Sequence, residues 1–163
     1  MKAMLRLALF VLSALAMTLA GTSAATAATT YKDTVSGEET QWTATQGTFV
    51  GTAKGDLPGD WKTTINHTPL TPDATVTGGN FSLNTTMNGS SVTVRGDSAT
   101  GTVKLKSGTL CTDQQYAVDV TYYHVGPGGK GSGTAHFTGT LTHKVSLCVV
   151  VAATVSGNLT MNF

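Results

Sequence analysis

Apolar and polar residues alternate with a period of two along most of this chain from residue 46 onward, which is the pattern of half-buried β-strands. The first two such runs, residues 46–53 and 61–65, are separated by a turn containing Pro58-Gly59. No window after residue 28 shows sustained helical spacing. The pattern therefore predicts an all-β protein. The inward-facing positions of these first two strands are Phe49, Gly51, Ala53, Trp61, Thr63 and Ile65.

Asn88-Gly89 is the strongest short hairpin signal in the chain, because a type I′ turn needs positive φ at both central residues. Folding about it places Phe81 and Leu83 on the same face as Gly96 and Val94. Two glycines in the preceding strand, 78 and 79, predict a bulge or bend. Residues 97–101 are predicted to turn again.

A second hairpin is predicted around the glycine-rich stretch 126–133, whose midpoint falls between residues 129 and 130. An antiparallel fold about that midpoint places the two cysteines, Cys111 and Cys148, opposite each other. It also places Tyr116 opposite His143, and Tyr122 opposite Phe137, on a largely apolar face. The sequence therefore predicts a Cys111–Cys148 disulfide at the end of this hairpin.

The odd positions stay apolar from Phe137 to Phe163, a run too long for one strand. A turn must interrupt it, either at residues 144–147 or at Ser156-Gly157-Asn158, and the pattern alone leaves both open.

About eight sequential strands favour a single antiparallel up-and-down barrel, with a β-sandwich as the alternative. With this strand count and Thr77-Gly78-Gly79, the chain resembles in outline the secreted barrels of the calycin and allene oxide cyclase type. That resemblance implies a lipocalin-like architecture and no particular site residues.

The first 28 residues have the three parts of a secretory signal peptide: basic Lys2 and Arg6, a short apolar run, and small residues before a cleavage point at Ala27 or Ala28. The alanine-rich composition suggests a bacterial signal. We expect residues 29–45 to form a loose N-terminal arm and residues 46–163 to form the barrel domain. A secreted, extracellular or periplasmic location agrees with one disulfide.

Charge narrows the range of partners. Removal of Lys2 and Arg6 leaves eight basic and nine acidic residues, so no excess charge favours nucleic acid or anionic lipid. Neither a nucleic-acid partner nor a membrane partner is expected. We expect the protein to be a monomer or a weak oligomer. Five Asn-x-Ser/Thr sequons permit glycosylation only in a eukaryotic secretory route.

No motif in the sequence predicts catalysis, a metal or a cofactor. Residues 126–131 match Gly-x-Gly-x-x-Gly by letter, but a strand rather than a helix is predicted to follow them. No two histidines have metal-ligand spacing. His67, His124 and His136 are interpreted as surface or rim residues, whereas His143 falls on the apolar face.

The predicted interior mixes large apolar residues with glycines, so it is either packed or hollow enough for one small ligand. The leading hypothesis is a binding module for a small apolar ligand, or for an extracellular protein or glycan at the loops. The alternatives are a cyclase or isomerase with an apolar cavity and an outer-membrane barrel ending at Phe163. The predicted ligand-binding residues are Trp61, Tyr116, Tyr122, Phe137 and His143.

Overall fold

The computed structural model describes residues 27–129 and 131–163, so the predicted signal peptide lies outside the described residues except for Ala27 and Ala28. Nine strands make up the fold of these described residues. No helix in the described part of the chain is long and apolar enough to cross a membrane. The strands are β1 (Thr30–Thr43), β2 (Gln46–Gly55), β3 (Gly59–His67), β4 (Ala74–Met87), β5 (Ser90–Gly96), β6 (Ser98–Ser107), β7 (Gln114–Pro127), β8 (Gly133–Ser146) and β9 (Val149–Asn162).

Eight of these strands form a closed antiparallel barrel in the order β1, β2, β3, β4, β6, β7, β8, β9, with β9 pairing back onto β1. The predicted all-β barrel is confirmed, and the sandwich alternative is wrong. The extra strand, β5, lies end to end with β6, and both pair with β4 in one continuous register. Phe81 of β4 faces Gly96 of β5, and Ala74 of β4 faces Val103 of β6. Only Asp97 separates β5 from β6, so the turn predicted over residues 97–101 is wrong.

The first strand replaces the N-terminal arm expected for residues 29–45. β1 pairs with β2 from Asp33 to Thr43 and with β9 from Thr30 to Glu38, and these two pairings close the barrel. The alternation of apolar and polar residues did not indicate this strand, because two of its inward positions, Asp33 and Glu39, carry carboxyl groups. Closure gives the middle of the first strand, from Asp33 to Glu38, backbone partners on both sides that an isolated arm would lack.

The Asn88-Gly89 hairpin is confirmed with its predicted register, and both residues have positive φ, 51° and 77°. The bend predicted at the paired glycines of β4 is present as a register shift, where Asn66 faces Gly78 and the next residue, His67, faces Val76.

The β7–β8 hairpin has the predicted faces but a register that differs by two residues. Gln114, not Tyr116, lies opposite His143. The tight turn is made by Gly128 and Gly129, where the Gly129 N–H donates to the Gly126 carbonyl (3.1 Å). Beside His124 the pairing of the two strands shifts by a further residue. A shift of two preserves the side-chain faces, because the period of a strand is two.

The disulfide joins two loops rather than two strands. Cys111 lies in the β6–β7 loop, and Cys148 lies in the β8–β9 turn. Of the two places that the sequence left open for this turn, the one at residues 144–147 is nearly right. The other, Ser156-Gly157-Asn158, lies within β9 and is wrong. Asp113 reinforces the connection: its carboxylate accepts hydrogen bonds from Lys144 Nζ (2.6 Å) and the Val145 N–H (2.9 Å). Both interactions lower the pKa of Asp113, the one with Lys144 more strongly.

The two ends of the barrel differ in packing. The end opposite the disulfide is filled by side chains with no solvent exposure, among them Leu83, Val94, Val125 and Met161. Leu57 in the β2–β3 loop covers that end, and its N–H donates to buried Asp33 Oδ1 at 2.9 Å. Burial raises the pKa of Asp33. The free volume of the barrel therefore lies towards the disulfide end.

Candidate functional site

The interior contains a cavity of about 400 Å³ that opens between the β1–β2 turn, the β3–β4 loop and the start of β9. This volume is at the lower end of the range for small-molecule sites and equals that of about 13 water molecules in the liquid. Its wall is almost entirely apolar. The inward side chains of Phe49 and Val118 are only partly buried because the cavity lies against them.

Glycines in the barrel wall explain how large aromatic residues leave this space. A Cβ atom built on Gly139 or Gly157 would meet the ring of Phe137, and one built on Gly37 would meet the ring of Trp61. The rings therefore lie against bare backbone. Glycines therefore relieve crowding beside these rings. Even so, the barrel is hollow at the disulfide end.

Hydroxyl groups in the wall are engaged with one another. Thr63 Oγ1 donates to the Asn80 carbonyl (2.6 Å) and lies 2.9 Å from the Tyr122 hydroxyl, which must then donate to it. Burial raises the pKa of Tyr122 to about 12. The indole N–H of Trp61 is likewise used, on the carbonyls of Ser36 (3.3 Å) and Thr52 (3.2 Å). Tyr122 and Trp61 thus present apolar ring surface to the cavity.

Four of the five predicted ligand-binding residues line the cavity: Trp61, Tyr122, Phe137 and His143. Tyr116 does not. Its hydroxyl donates to Gln114 Oε1 (2.9 Å), and its ring packs beside His143 with centroids 5.2 Å apart, so it supports the imidazole from behind. Ligand binding by the other four stays a prediction.

His143 is buried and uncharged at neutral pH. Burial lowers the pKa of this imidazole, and the nearby His67 lowers it further. His67 itself lines the mouth of the cavity and is half-buried, which agrees with its interpretation as a surface or rim residue. The other two histidines are exposed, His124 beside Asp97 (2.6 Å) and His136 beside Asp119 (2.9 Å).

Glu39 is the acidic residue of the cavity wall, and the sequence pattern did not reveal it. It faces inward from β1, opposite Phe49, and burial raises the pKa of its carboxyl to about 7. The available signal was the alternation of Val35, Gly37 and Glu39, which matches the inward parity of a strand. Treating residues 29–45 as an arm concealed it.

The cavity mouth is bordered by exposed apolar side chains and an incomplete barrel wall. The β1–β9 pairing ends at Glu38 and Thr154, so residues 149–153 of β9 and 39–43 of β1 separate at this end. An apolar molecule can therefore reach the cavity across an apolar rim. Trp42 lines this mouth and is exposed, and further exposed apolar residues lie at the same end of the barrel: Leu110, Leu147, Val149 and Val151.

Within residues 27–129 and 131–163, no group of three or more potential metal ligands is present. No protein-family model, curated protein or solved structure matches this chain. Function therefore has to be argued from the cavity.

Proposed function

We propose that this protein binds one small apolar ligand inside its barrel. The observation that supports this proposal is the apolar cavity of about 400 Å³. The cavity is open at the disulfide end of the barrel, and the opposite end is filled by buried side chains. Burial of apolar ligand surface in such a site supplies the main driving force, about 25 cal/mol per Å² of surface removed from water. Trp61, Tyr122 and Phe137 provide the walls and His143 a neutral polar group at the rim.

The test is a titration with 1-naphthylmethanol, a small uncharged aromatic probe, followed by calorimetry and tryptophan emission. We expect saturable binding of one probe per chain. Val118→Phe fills the cavity from β7 and should weaken binding at least tenfold, whereas Thr140→Phe on the exposed face of β8 should leave it unchanged.

Urea unfolding of each variant separates loss of the site from loss of the fold, and Val103→Phe on β6 is a second filling variant. Failure of the wild type to bind, or equal binding by the filled and control variants, would contradict the proposal. Gly139→Leu is not suitable for this test, because its Cβ would meet the Ser156 carbonyl and the Phe137 ring whether or not a ligand binds.

We also propose that the protein works outside the cytosol, in water. The predicted signal peptide and the Cys111–Cys148 bridge support export. The exposed Asp119–His136 pair in the middle of the outer β7–β8 surface supports a water-facing barrel, since charged groups are costly on a lipid-facing surface.

A cyclase or isomerase is the second candidate function, and the presence of Glu39 and His143 on one cavity favours it. A carboxyl group with a pKa of about 7 can donate a proton, and a neutral imidazole can accept one. A catalyst converts what it binds. Because isomers share one mass, chromatography and NMR of the molecule extracted from the native protein, before and after long incubation, distinguish a carrier, which leaves it unaltered, from a catalyst.

A further inference from the structure

Resting on the proposed function, we infer that the ligand is an apolar amine whose protonated nitrogen pairs with the Glu39 carboxylate at the cavity mouth. The inference comes from three properties of the cavity wall as the described residues form it: an acidic group without a partner among them, no lysine or arginine, and aromatic rings that line the same cavity.

The Glu39 carboxylate is available for a ligand. Its Oε1 lies over Gly47, where a Cβ atom would collide with it, and beside the Phe49 ring. Among the described residues it accepts no hydrogen bond and forms no salt bridge. A partly buried carboxylate that has lost water without gaining a donor is unfavourable, and a bound ammonium group would supply both charge and donors.

The charge of the wall selects against acidic ligands. Glu39 is the acidic residue among the described lining residues, and none of them is lysine or arginine. A fatty acid or phosphate ester would therefore place its charge near Glu39 with no basic partner. A hydroxyl group would fit without the charge pairing, so an alcohol is expected to bind more weakly than an amine of the same shape.

Aromatic rings complete the environment of the amine. Trp42, Phe49 and Trp61 line the same cavity as Glu39. Ring faces attract cations, and a carboxylate combined with aromatic rings is a favourable site for an ammonium group. The hydroxyl of Tyr122 and the indole N–H of Trp61 already donate hydrogen bonds within the wall. They therefore do not compete with the amine for the Glu39 carboxylate.

The pairing predicts how binding depends on pH. The carboxylate form of Glu39 increases as the pH rises through its pKa of about 7, while an aliphatic amine stays protonated, so amine binding should strengthen between pH 5.5 and pH 8. The other titratable groups facing the cavity are His67 on β3, Tyr122 on β7 and His143 on β8. Histidine protonation at low pH would also repel a cation, so a Glu39 variant is needed to isolate the carboxylate.

The experiment compares 1-naphthylmethylamine, 1-naphthylmethanol and 1-naphthoic acid by calorimetry on the whole exported protein at pH 8. We expect the amine to bind at least tenfold more tightly than the alcohol, and the acid most weakly. Glu39→Gln should reduce amine affinity to that of the alcohol, leave the alcohol unchanged and reduce the pH dependence to the part that the cavity histidines cause. Glu38→Gln, one residue away on the outer face, is the matched control and should change nothing.

Equal binding of amine and alcohol by the wild type, or unchanged amine affinity in Glu39→Gln, would overturn the amine inference while the cavity proposal stands. Failure of all three probes to bind would contradict the proposed function itself, and the amine inference with it. The two proposals therefore fail in distinguishable ways.

Discussion

At the scale of single residues, Glu39 should make stability depend on pH. Because burial raises its pKa from 4.5 to about 7, the folded protein favours the neutral carboxyl, and this group's contribution to stability is greatest below pH 4.5. That contribution declines as the pH rises to about 7. Glu39→Gln should therefore gain stability relative to the wild type over this range, by about 1 kcal/mol above pH 7 once solvent screening at the mouth is allowed for.

The measurement is the free energy of unfolding in urea at several pH values. The exposed Glu38→Gln variant is the control, and its difference from the wild type should be small at every pH. A Glu39→Gln difference that does not vary between pH 4.5 and pH 8 would show that the Glu39 carboxyl is well solvated.

Residue-scale reasoning located several large side chains of the cavity wall but not its acidic group. Trp61, Tyr122 and Phe137 were identified because large apolar side chains at alternating positions must face inward. Glu39 was not, because a carboxyl group at an inward position contradicts that same rule. Such exceptions concentrate at functional sites, where local preference is sacrificed.

At the scale of strands and loops, the disulfide joins the β6–β7 loop to the β8–β9 turn, at the end of the barrel where the cavity opens. Replacing both cysteines by serine should lower the free energy of unfolding by up to about 4 kcal/mol, the chain-entropy value for a bridge between residues 37 positions apart. The Asp113–Lys144 pair remains in both forms, so the difference reports the bridge.

Urea unfolding with and without reductant checks this prediction. Reductant should bring the wild type to the stability of the double-serine variant and should not affect that variant. If oxidised and reduced wild type unfold at the same urea concentration, the bridge contributes no stability.

Element-scale prediction succeeded where the signal was local. Asn88-Gly89 determines its own turn and register, because few residue pairs tolerate positive φ twice in succession. The β7–β8 register was displaced by two because a turn among many glycines can form at several positions, and the shift at His124 changes the count. The cysteine pair was nevertheless correct, since it depends on which strand ends meet and not on the register within the strands.

At the scale of the whole molecule, the prediction concerns export. The protein recovered from outside the cytosol should begin at Ala28 or Thr29, depending on whether cleavage follows Ala27 or Ala28. It should also lack two hydrogens relative to the reduced chain, because Cys111 and Cys148 are bridged. Intact-mass analysis under non-reducing conditions measures both. A retained N-terminus would contradict the signal-peptide prediction, and two free thiols in exported material would contradict the bridge.

The amino-acid sequence by itself determined the class of this protein. Its period-two alternation, its turn residues and its two cysteines act over short distances or through simple pairing, so all-β structure, hairpin order and the disulfide followed from them. The sequence favoured a barrel over a sandwich, because sequential hairpins that close on themselves leave no unpaired edge.

Only the tertiary structure decided how the barrel closes and what its interior contains. β1 becomes a wall strand because both β2 and β9 offer it backbone partners, and no local pattern in residues 30–43 reports those distant strands. Whether an interior is packed or hollow depends on how rings from several strands meet glycine backbone in three dimensions. The cavity and the position of Glu39 within it are therefore properties of the closed barrel, to which strands from both ends of the chain contribute.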